Sequence, residues 1–108
     1  MNYLRIKKNS EFSKIFRRGI RVHSPALTLI LFPSGSMRMG IALSKKHGKA
    51  VERNRIKRLL REAFRNNSHI LEKKWAVIIM PHVAGSYSYK TFEKSITTCF
   101  KKVNGCGK

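Results

Sequence analysis

The chain has 108 residues, 42% of them hydrophobic, and carries 24 Lys and Arg against five acids, for a formal net charge of +19. That length sets one domain over 1–108 with room for a modest core, and the hydrophobic share excludes a wholly disordered basic tail. The longest apolar stretch, Ala26 to Phe32, falls short of the roughly 18 residues of a membrane span. The opening Met1-Asn2-Tyr3-Leu4 begins no signal region, so a cytoplasmic location with no membrane partner is expected. So one-sided a charge repels itself in a compact chain and calls for a polyanion, nucleic acid before any other.

Residues 9–19 predict a short helix. Asn9 or Ser10 is placed to cap it, Glu11 suits its positive first turn, Arg17 and Arg18 suit its negative last turn, and Gly19 stops it. Phe12, Ile15 and Phe16 share one face. Either all three are core, or an aromatic faces an open groove. Val22 to Ser24 predicts a short strand, and Ala26 to Phe32 a central one. Pro33-Ser34-Gly35-Ser36 predicts a turn, with Met37 to Leu43 returning as a hairpin partner. Trp75 to Met80 predicts a buried strand, parallel to 37–43 across a helical crossover. Residues 88–103 predict the last helix, with Phe92, Ile96, Cys99, Phe100 and Val103 inward, and 104–108 predict a frayed tail.

Between these elements lies the segment 45–65, in which nine of 21 residues are Lys or Arg. Ile56, Leu59, Leu60 and Ala63 recur at i, i+3, i+4, i+7, the stripe of a helix over about 50–66 with one buried face. At 100° per residue, Asn54, Arg58, Arg61 and Arg65 fall on the opposite side. Guanidinium forks donate two hydrogen bonds to one phosphate.

The acids Glu11, Glu52, Glu62, Glu72 and Glu93 are scattered and form no pair suited to two-metal hydrolysis; those in helices read as i, i+3 or i+4 partners of basic residues. No histidine has an orienting acid at a recognisable spacing. His23, His47, His69, His82, Cys99 and Cys106 show no metal-ligand pattern, and no disulfide is expected in a reducing compartment. No catalytic residue and no metal ligand is therefore assigned to the protein. A basic RNA-scaffolding protein and a DNA-binding module are the other readings of such charge, although no helix-turn-helix is visible.

The run Ser44 to Glu62 closely resembles the signature of the bacterial ribonuclease P protein component. That pattern is Lys-Lys, a short spacer, then Ala-Val-x-Arg-Asn-x-x-Lys-Arg-x-x-Arg. It is met by Lys45, Lys46, Ala50, Val51, Arg53, Asn54, Lys57, Arg58 and Arg61. Leu4-Arg5 with Phe12, Phe16 and Gly19 resembles the family's N-terminal segment, Gly40 to Lys46 its strand leading into the signature, and Tyr89 to Phe100 its last helix.

The resemblance implies an α/β (α+β) sandwich with a mixed sheet, in the order α-β-β-β-α-β-α. It also implies a left-handed crossover like that of ribosomal S5 domain 2. The function implied is that of the protein subunit of ribonuclease P, which pairs with a catalytic RNA to remove the 5′ leader of precursor tRNA. In that family the RNA and its Mg²⁺ carry the chemistry. Lys45, Lys46, Lys49, Arg53, Asn54, Arg55, Lys57, Arg58 and Arg61 are then expected to meet the catalytic RNA, with bracing of the loop as the alternative for Arg53. Phe12, Phe16, Lys14, Arg17 and Arg18 are expected to meet the leader. Three places depart from the family's pattern. Ile30 stands where an aromatic is common, Lys74 where an acid is common, and His82 near a usual basic residue, which it replaces only when protonated.

Overall fold

The apolar run Trp75–Pro81 forms strand β5 at the centre of a five-stranded sheet of order β1-β4-β5-β3-β2, where β1 is Leu4–Arg5, β2 Ile20–His23, β3 Leu27–Pro33 and β4 Arg38–Ile41. The structure, a computed structural model, describes residues 4–6 and 8–106, without the side chains of Leu4 and Cys106. β5 runs antiparallel to β3, with Leu29 opposite Ile79, and parallel to β4, with Met39 opposite Val77. The parallel pairing matches the reading of the sequence. The expected hairpin between 26–32 and 37–43 does not form, because β5 lies between those strands. A strand apolar on both faces excludes water from both of its edges, so its N–H and C=O groups need a ladder partner on each side. The 33–36 turn therefore spans a gap of roughly two strand spacings, about 10 Å. The two-residue β1 pairs parallel to β4, and β2 pairs antiparallel to β3.

Alternation along the strands divides the core in two. Leu27, Leu29, Leu31, Met39, Val77 and Ile79 face helices α2 (Ala50–Asn67) and α3 (Tyr89–Cys106). There Phe64 and Phe100 meet edge to face, with centroids 5.9 Å apart. Ile30, Ala76 and Ile78 face the single helix α1 (Asn9–Arg18), which buries Ile15 against them. One helix cannot cover this face, and Phe12, Phe16, Phe32, Ala42 and Met80 are only partly buried.

Two glycines let α1 lie close to the sheet. A Cβ on Gly19 would stand 2.6 Å from both the Ile15 carbonyl oxygen and Ile30 Cγ2, and one on Gly40 would stand 2.7 Å from Phe12 Cζ. Gly19 has φ −74°, ordinary extended backbone, so it ends the helix by giving room and not by a left-handed turn. The N-cap is Lys8, not Asn9 or Ser10, and no side chain caps it.

Short 3₁₀ turns at Lys45–His47 and Ser68–Ile70 flank α2. At its end the buried Asn67 amide donates to the Ala63 carbonyl at 2.8 Å and to Glu93 Oε2 at 3.1 Å, while the Tyr89 hydroxyl donates to the same oxygen at 2.8 Å. The Asn67 and Tyr89 bonds hold the Glu93 carboxyl below its ordinary range. α3 runs on through Cys106 instead of ending near 103. The Asn104 amide donates to the Ile70 carbonyl at 2.7 Å and its Oδ1 accepts from Glu72 N–H at 3.2 Å, so the predicted tail is docked at its first residue. Gly107 and Lys108, the last two residues of that tail, lie outside the described residues.

Candidate nucleic-acid interface

α2 buries Ile56, Leu60, Ala63 and Phe64 completely, and its cations divide into two sets. Arg55, Arg58 and Arg65 are exposed, as is the neutral Asn54, whereas Arg53, Lys57 and Arg61 are half-buried. Lys57 and Arg61 line a recess of about 200 Å³ with Arg5, Ile6, Phe12 and Gly40. Arg61 was expected opposite the core, but it turns to the sheet edge because its angular position is nearer that flank and its long stem packs there. Arg53, Asn54 and Lys57 line an adjoining recess of about 330 Å³ with Ile41, Leu43 and Ala50. Arg53 Nε is buried with no hydrogen-bond partner.

The segment leading into α2 adds Lys45 and Lys46, both exposed on the 3₁₀ turn, and the exposed Lys49, which is the helix N-cap. No side chain caps this end, so first-turn N–H groups and the positive end of the helix dipole are open to an anion.

The cleft between α1 and the sheet holds the second expected set. Phe12 and Phe16 are half-buried, 6.4 Å apart between centroids and 29° from parallel. Lys14, Arg17 and Arg18 are exposed on the same helix. Of the two alternatives for the α1 face, Ile15 is core and the phenylalanines border the groove. Ile30 is fully buried and offers no ring-like surface.

Sequence reasoning missed Phe32, which lies on the cleft face with Lys14 Nζ 5.2 Å above its ring centroid. Strict alternation from Ile30 would have found it, but a continuous apolar strand hides its own facing. The acid Glu11 was read as a helix-terminus charge. It does lie in the first turn of α1 and also reaches β4, where Arg38 Nη2 donates to Glu11 Oε1 at 2.9 Å and lies 2.8 Å from Oε2. Glu11, Lys14, Phe32 and Arg38 surround a recess of about 130 Å³.

His82 lies at the sheet's end, with Nδ1 donating to the Pro25 carbonyl at 3.1 Å and Nε2 2.9 Å from Thr28 Oγ1. Cys99 is a free, buried thiol, and burial pushes its pKa up. Among the described residues no group of three or more His, Cys, Asp or Glu is placed to hold a metal ion, and no helix is long and apolar enough to cross a membrane.

A mixed sheet between one helix and a helix pair, with a cation-lined helix beside an aromatic cleft, defines a strongly basic α+β protein. The ribonuclease P family model matches residues 1–104. The chain is 36% identical to the ribonuclease P protein component of Bacillus velezensis over 93% of this chain and 89% of that one. It is 38% identical to that of Clostridium novyi over 91% of each. Among solved structures, the RNase P protein of Thermotoga maritima superposes with a TM-score of 0.81 at 25% identity, over 91% of this chain and 96% of that one. The Staphylococcus aureus RNase P protein gives 0.81 at 28% identity, over 94% and 96%. The chain belongs to the ribonuclease P protein component family. It is thereby part of a ribonucleoprotein endoribonuclease of tRNA processing, with an RNA subunit as partner.

Proposed function

We infer that this protein binds the catalytic RNA through α2 and its leading turn, and the 5′ leader of precursor tRNA through the cleft under α1. It works in the cytoplasm. The observation that carries this reading is the recess in which Lys57 and Arg61 from α2 meet Phe12 from α1. It supports reading the two surfaces as one path for a strand running from the ribozyme into the cleft. Phe12, Phe16 and Phe32 offer ring faces to bases, a mode of binding tolerant of sequence and therefore suited to varied leaders. Lys14, Arg17 and Arg18 lie where leader phosphates would pass.

The protein's part is to bind and orient. Glu11, paired with Arg38, and Glu93, bonded to Asn67 and Tyr89, do not fit a Mg²⁺ site, and among the described residues no three acids, histidines or cysteines come together to hold one. Mg²⁺, held mainly by the RNA, supplies Lewis-acid chemistry there, and no step is assigned to a protein side chain. The test compares affinity of the reconstituted particle for precursor tRNA and for mature tRNA. Phe12→Ala is expected to cost about 1–3 kcal/mol for the precursor and nothing for mature tRNA. Equal losses for both would remove the leader from the cleft.

A further inference from the structure

His47 sits in the middle of the most basic segment of the chain, yet it is only 8% exposed. Its Nε2 lies 2.6 Å from the carbonyl oxygen of Pro81, the last residue of β5, and its Nδ1 accepts the Ser44 N–H at 3.1 Å. A carbonyl only accepts and a backbone amide only donates. The two bonds therefore fix one tautomer, with the proton on Nε2 and the lone pair on Nδ1. The Tyr87 ring, from the loop before α3, packs 6.4 Å away between centroids and itself stacks on Phe92. One imidazole thus ties together the 44–48 turn, the end of β5 and the 82–88 loop.

The imidazole supplies half of the turn's reciprocal cap. Ser44 Oγ accepts the Lys46 N–H at 3.3 Å, and the Ser44 carbonyl accepts from His47 N–H at 3.1 Å. Gly48 then takes φ +109°, a conformation disfavoured for other residues, to start α2. Lys45 and Lys46 ride on this turn. A second proton on the ring would occupy Nδ1 and set one N–H against another, so the Ser44 N–H bond must break; Ser44 Oγ, 3.4 Å from Nδ1, becomes the acceptor nearest the new proton, and the imidazole's half of the turn's reciprocal cap is lost. The titratable and charged groups around the ring are Lys45, Lys46 and Lys49 on its own segment, Glu52 on the first turn of α2, His82 beside Pro81, and the Tyr87 hydroxyl.

We propose that His47 is a positioning residue whose neutral form locks Lys45 and Lys46 for RNA and whose protonation releases them. This rests on the reading of α2 and its leading turn as the face for the catalytic RNA. The test has two arms on the full chain. Without RNA, nitrogen NMR of the imidazole is expected to show the Nε2–H tautomer at neutral pH. Hydrogen-exchange protection of the Ser44 amide is expected to fall as His47 takes up its second proton. With the host's catalytic RNA, wild type at about pH 8 is expected to bind about fivefold more tightly than His47→Gln, one hydrogen bond's worth. Glutamine keeps a donor for Pro81 and does not titrate, and its acceptor Oε1 stands one bond further from the backbone than Nδ1, so it does not replace Nδ1 at the Ser44 N–H. The two affinities are then expected to converge as the pH is lowered and Nδ1 takes its proton. A purely structural histidine would leave the gap constant with pH. A constant gap, an Nδ1–H tautomer, or Ser44 protection indifferent to His47 protonation would each overturn the proposal. No binding by wild type at about pH 8 would overturn the RNA reading, and the imidazole and Ser44 signals would still decide the switch.

Discussion

Replacing Arg55 and Arg58 by alanine removes two exposed cations from α2, while replacing Lys57 and Arg61 removes two from the flank that meets Phe12. The pairs are equal in charge and differ in direction, so they separate the two surfaces. Each phosphate left without its cation lowers the slope of log K against log salt by about 0.7–0.9. Arg55→Ala with Arg58→Ala is expected to flatten the slope for the catalytic RNA by about 1.4–1.8, with discrimination between precursor and mature tRNA unchanged. Lys57→Ala with Arg61→Ala is expected to reduce that discrimination and to change the catalytic-RNA slope less. Removing exposed side chains changes stability by about 0.5 kcal/mol or less, so the first pair needs no correction for unfolding. The second loses some packing of its stems, and its melting curve is measured beside its binding. The assay is a titration of labelled RNA at a series of potassium chloride concentrations. An unchanged slope for the first pair would mean that Arg55 and Arg58 meet no phosphate. Identical losses for both pairs on both RNAs would refute the division of α2 into two faces.

Gly19→Ala is expected to destabilise the fold by about 3 kcal/mol, because its Cβ would press on the Ile15 carbonyl oxygen and Ile30 at 2.6 Å; Gly35→Ala, with nothing within 4 Å, is the urea-denaturation control expected to show no change. Sulfate is expected to raise the melting temperature well above chloride of matched ionic strength, because a bound anion relieves the clustered positive charge; coincident curves would oppose this. Glu11→Gln is expected to free Arg38 for a phosphate and steepen the salt dependence for leader-bearing precursor tRNA by about 0.7, the value for a single strand, with mature tRNA as the control.

The parts of this molecule that sequence made legible are those governed by local periodicity. The 3.6-residue stripe of Ile56, Leu60 and Ala63 placed α2 on its core and its cations outward, and the apolar run at 75–80 announced a buried strand. What stayed hidden depends on partners far apart in the chain. Nothing near residues 33–36 reveals that a strand some forty residues later will enter between β3 and β4. Glu11 stands in the first turn of its helix as its sequence suggests, and its bond to Arg38 across the cleft is a second contact that only the fold reveals. Phe32 was concealed by the uniform hydrophobicity of its strand, and Arg61 by a rotation of some tens of degrees about the helix axis. His47 stood in the sequence only as a histidine outside any metal-ligand pattern, because only the fold brings the Pro81 carbonyl to it.

The decisive measurement is cleavage of precursor tRNA by the host's own catalytic RNA at limiting Mg²⁺, with and without this protein and with the protein alone. The expected result is that the protein raises the RNA's activity and by itself leaves the substrate intact. Cleavage by the RNA-free protein, or an RNA whose rate ignores the protein, would contradict the assignment of binding to the protein and chemistry to the RNA.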